Sequence, residues 1–155
     1  MKVFIVFFAM LILNISFLSF NGDMDAYVKL QIHLKALAEE SAAGASLFHD
    51  KERYGEGLLS IDETAANAYI QFLVQKREEN DSLFSKGDIS IDTFYFDDVK
   101  GYACCSEYRV CKEKPAVVVT LTYCGDDMFR LPFLFVDTAS RTATYQWDDG
   151  LTSSF

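Results

Sequence analysis

Four cysteines, Cys104, Cys105, Cys111 and Cys124, are the most chemically pointed residues of this 155-residue chain. Thiols can cross-link, hold a metal or sit buried as small hydrophobes. The spacing CC-x5-C-x12-C lacks the CxxC knuckle that structural zinc sites use, so no metal is expected. In a domain facing an oxidising compartment, four thiols read as two disulfides. Adjacent Cys104 and Cys105 project to opposite faces of an extended strand and should take different partners. One then pairs with Cys111 and the other with Cys124, in either arrangement.

The remaining candidates for chemistry are sparse. The two histidines, His33 and His49, have no partner that the sequence points to. Acidic pairs at Asp97-Asp98, Asp126-Asp127 and Asp148-Asp149 read as turns and solvated faces, with no diagnostic calcium spacing. GxSxG, HExxH, SxxK and glycine-rich phosphate loops are all missing from the sequence. No catalytic residue and no cofactor is expected, and the chain reads as a non-enzyme.

The elements that would carry these residues are organised by the stretch from Lys2 to Phe48. Val3 to Phe20 is almost wholly apolar and uncharged, and as a helix would run roughly 27 Å, the hydrocarbon thickness of a bilayer. A secretory signal peptide also begins with a lysine and an apolar run. This run is longer than usual, however, and bulky Phe20 stands where a cleavage site wants a small residue. The expectation is an uncleaved anchor contacting the bilayer through residues 2–20, with domain limits at 1–22 and 23–155. Lys2 before the run and Asp23 and Asp25 after it favour a cytoplasmic N-terminus and an extracytoplasmic C-terminal domain.

Beyond Gly22 the helical period continues as an amphipathic pattern. Tyr27, Leu30, Leu34, Leu37, Ser41, Gly44 and Phe48 follow at steps of three and four and make one packing seam. A second helix is expected after Asp62 as N-cap, with Ala65, Ala68, Tyr69, Phe72, Leu73 and Lys76 recurring along it at helical spacing as one stripe. From Gly87 the period switches to two, predicting strands over 88–97, 101–110, 115–124, 129–136 and 141–148. Short links make these an antiparallel meander. The fold class is α+β, with two helices packed on a C-terminal antiparallel sheet.

All 23 acidic residues but only 13 of the 14 basic ones lie beyond residue 20, leaving that part at a net charge of −10. Such a surface repels phosphate backbones, so nucleic acid is excluded as a partner class.

The stretch Asp25 to Leu47, DAYVKLQIHLKALAEESAAGASL, and the strands within Pro115 to Trp147 resemble the TadE/TadG-like minor pseudopilins of tight-adherence pili. The resemblance implies a pilin-like, membrane-anchored component of a pilus or secretion assembly. Its partners would be other pilin-like or pilus-assembly subunits. Processed members of that family carry a small residue followed five residues on by glutamate; here Ala9 is followed by Asn14. That departure implies a permanently anchored accessory subunit rather than a processed major pilin. A membrane-tethered binding module unrelated to pili is the alternative.

Overall fold

The computed structural model describes residues 2–84, 86–102, 108, 110, 114–131 and 133–147. A single helix, α1 (Lys2–Ala45), takes up 44 residues, about 66 Å of rise. It runs through Asn21 and Gly22 without a break, and a Cβ added at Gly22 would meet no atom within 4 Å. Inside the apolar stretch the one amide, Asn14, donates back to the Met10 carbonyl at 2.8 Å, which meets one of its two N–H donors within the helix. At the other end the last turn tightens onto Ala42 and Gly44, and the Trp147 indole donates to the Ser46 carbonyl at 2.9 Å.

Two shorter helices follow. Asp50 caps α2 (Lys51–Gly55) by accepting from the Glu52 and Arg53 amides, and Asp62 caps α3 (Glu63–Asn80) through Thr64 and Ala65. The buried ridge of α3 is Ala66, Ile70 and Val74, each four residues from the next. This lies about one position round from the expected stripe. Ala68 and Phe72 face solvent, and Lys76 sits over the Phe72 ring.

The sheet has three strands in sequential antiparallel order: β1 (Gly87–Phe96), β2 (Ala116–Gly125) and β3 (Thr138–Gln146). Odd positions of β2, from Val117 to Tyr123, face the helices, while Thr120, Thr122 and Cys124 lie on the outer face. α1 lies over β2 and β3, and α3 packs between α1 and β1. On β3 the inward residues Ala139 and Ala143 are small, which lets α1 come close. Leu30, Leu34, Leu37, Ser41 and Gly44 are buried beneath that contact, with Tyr27 and Phe48 partly covered at its two ends. A Cβ on Gly44 would overlap the Tyr69 ring, so the small run from Ser41 to Ser46 is what allows α3 to approach.

The outer face carries a second, smaller cluster of Phe96, Val110, Ala116 and Val118 against Tyr102 and Tyr108. Of the five expected strands, that over 129–136 does not form among the described residues, and most of that over 101–110 lies outside them. Over 129–136 the cause is local. Asp127 accepts from the amides of both Phe129 (3.1 Å) and Val136 (3.0 Å), closing the segment on itself as the β2–β3 loop.

Candidate functional site

The β2–β3 loop reaches back along α1 to the level where the apolar stretch ends. Phe129 is buried, its ring 6.0 Å from Phe20 and 6.1 Å from Tyr27. Leu131 continues along the helix to border a shallow apolar groove with Leu13, Phe17 and Phe20. Within residues 3–20 none is buried, only Ser16, Ser19 and Phe20 are of intermediate cover, and the rest are exposed.

A carboxylate holds this contact. Asp23, only 6% exposed, accepts from the Arg130 amide at 3.0 Å and lies 3.5 Å from Arg130 Nε. Desolvating a carboxylate is costly unless donors meet it, and a charge-assisted bond to a backbone amide is a strong way of doing so. Asp23 sits one residue after Gly22 and ties a loop more than a hundred residues away to the foot of the head. Sequence spacing could not reveal that pairing. An aspartate at the end of an apolar run reads first as a solvated topology signal. Behind the latch an open cleft of about 410 Å³ is lined by Tyr27, Leu30, Leu83, Lys86, Tyr123 and Met128.

No protein-family model, curated protein or solved structure matches the chain.

One described helix is long and apolar enough to cross a membrane: α1, with a mean hydropathy of 2.5 in its apolar window and none of that window buried in the fold. A core helix of a water-soluble domain would have that face covered. Here the covered half is the other one.

The residues singled out for chemistry are scattered. Cys124 is an exposed free thiol at the edge of the outer face, and Cys104, Cys105 and Cys111 lie outside the described residues. No group of three or more His, Cys, Asp or Glu side chains could hold a metal among the described residues. His49 contacts the Leu47 carbonyl and the Tyr54 ring. His33 bonds Asp81 at 2.7 Å, linking α1 to the end of α3. Burial alone would raise the Asp81 pKa. The bonds from His33 and the Leu83 amide, with the charges of His33 and Arg77, outweigh it and hold the carboxyl below its ordinary 3.8.

Asp97 is not the solvated turn residue its neighbours suggest. It is buried, and its two oxygens accept from Ser60 Oγ, the Ile61 amide and the amides of Val99 and Lys100. With every oxygen committed to donors, it clamps the 59–61 link to the end of β1 and has none left for a cation. Burial, with Asp126 and Asp88 nearby, pushes the Tyr123 phenol up; burial does the same for Tyr95, whose hydroxyl donates to Asn67 at 2.7 Å. These are packing consequences at the two ends of the sheet rather than a poised acid or base.

Proposed function

We propose that this chain is a non-enzymatic, membrane-anchored structural subunit of pilin-like design, serving a tight-adherence or type IV-like pilus or secretion assembly. One observation carries the reading. A single uninterrupted helix is at once an exposed apolar stalk and the central core element of an α+β head. The stalk needs an apolar environment, either lipid or the stalks of neighbouring subunits, and the head cannot be detached from it without losing its main packing partner. That coupling suits a subunit whose task is to hold a folded head at a fixed height and orientation. The acidic head lies outside the cytoplasm in this reading, with Lys2 on the cytoplasmic side.

The uncovered half of the sheet's outer face favours a second reading, a tethered binding module. Ser90, Asp92, Ser140 and Thr142 are exposed there, and hydroxyl pairs such as Thr120–Thr142 present an ordered polar surface.

The test is covalent cross-linking in intact cells of the source organism, read together with the gene's neighbours. The pilin-like reading expects cross-links to other single-anchor subunits, and a secretion ATPase gene close by. Recovery of the uncross-linked chain alone, from a locus without such genes, contradicts it.

A further inference from the structure

We infer that the β2–β3 loop is a second membrane contact, a hydrophobic foot that seats Phe133 and Phe135 in the lipid interface beside the anchor. The inference rests on the anchor reading above and adds what the head does at the bilayer surface. Phe133 is 75% exposed and Phe135 76%, on a loop that is otherwise held down on α1. Large aromatic rings left in water at one end of a folded head mark a surface meant to be covered.

Its place on the helix says what covers it. Leu131 borders the same groove as Leu13 and Phe17, and Leu13 lies about 10 Å along the axis from Phe20, on the side away from the head. If residues 3–20 span the hydrocarbon, the loop is already at the depth of the outer headgroups and upper acyl chains. An irregular backbone survives there only when its polar groups are met from within. The amide N–H groups of Phe129 and Val136 are met by Asp127, that of Arg130 by Asp23, that of Met128 by the Val136 carbonyl and that of Leu134 by the Leu131 carbonyl. Pro132 brings no N–H at all. The Arg130 side chain, 83% exposed, stands where lipid phosphates would lie. Aromatic rings with a neighbouring cation at this depth are what interfacial anchoring uses.

The experiment reconstitutes the full chain, one copy per nanodisc, in lipids brominated either near the headgroup or deep in the acyl chain. Three forms are compared: the unmodified chain, Phe133→Trp and Leu11→Trp. Trp147, the only native tryptophan, bonds Ser46, about 39 Å along α1 from Phe20, and supplies an unquenched baseline. The expected result is a blue-shifted added emission from Phe133→Trp, quenched more by shallow than by deep bromine, with Leu11→Trp showing the reverse order. Quenching of Leu11→Trp without quenching of Phe133→Trp overturns the foot and leaves the anchor standing. If neither is quenched, the anchor reading fails and the foot with it. A blue shift at Phe133→Trp that bromine does not touch, and that appears only when several copies share a disc, overturns the proposal in favour of contact with a second copy.

Discussion

Replacing Leu37 with alanine tests which face of α1 builds the head. Leu37 is 0% exposed, in the middle of the seam beneath the sheet, whereas Ile32 on the same helix is 60% exposed. Removing Cγ and both Cδ atoms of Leu37 loses about 2.4 kcal/mol of transfer free energy at ~0.8 kcal/mol per carbon. The cavity left between α1 and the strands adds to that, and about 3 kcal/mol is expected in total. Spread over a head of this size, the loss corresponds to a midpoint lower by roughly 10 °C. Ile32→Ala removes a similar amount of hydrocarbon from the outer side and should change stability by no more than about 0.5 kcal/mol. The assay is thermal unfolding of the full chain in nanodiscs followed by near-ultraviolet circular dichroism and Trp147 emission. These report head packing, while the anchored stalk stays helical. Equal losses from the two substitutions would refute the packing argument, because the seam and its opposite face would then be energetically alike.

Three further outcomes follow from single contacts. Gly44→Val forces a side chain into the Tyr69 ring and should cost about 2 kcal/mol or more, with Tyr69→Ala in the same chain recovering part of the loss; additive losses would argue against that contact. Ser41 Oγ is buried with no hydrogen-bond partner among the described residues, so Ser41→Ala should leave stability unchanged or raise it by about 1 kcal/mol in urea titration, and a marked loss would reveal an unseen partner. The folded Asp81 carboxyl titrates below its ordinary 3.8, so its contribution is present above that pH and is lost as pH falls through the lower folded value. Asp81→Asn should therefore be less stable than the unmodified chain at neutral pH, with the gap closing below about pH 4; a gap independent of pH would contradict this.

Much of the fold was legible because its signals are local. Helical period carries unbroken across Gly22, so one helix could be read from an apolar half and an amphipathic half. Asp62 before a helical run is a cap by the chemistry of its side chain, whereas the five-residue α2 behind Asp50 was not expected, being too short to show a helical period. The alternation of Val119, Leu121 and Tyr123 with Thr120, Thr122 and Cys124 in β2 pointed to its inward face. The same alternation misled at 129–136, where Phe129, Leu131, Phe133 and Phe135 recur with period two but Asp127 closes the chain into a loop. There the pattern reflects apolar residues with different destinations: Phe129 against α1, Phe133 and Phe135 outward. Tertiary burial of single carboxylates was not legible at all. Asp23 and Asp97 look like any acidic surface residue until distant amides are brought to them.

The central claim is that α1 is both membrane anchor and core of the head. The measurement that tests it most directly is alkaline carbonate extraction of membranes carrying the full chain, with the intact mass read afterwards. The account predicts that the unmodified chain stays in the membrane pellet at full length. Leu11→Arg, which places a charge at mid-span at a cost of about 2.5–3.5 kcal/mol on insertion scales, should shift it toward the supernatant. Release of the unmodified chain into the supernatant, whole or trimmed, contradicts the claim.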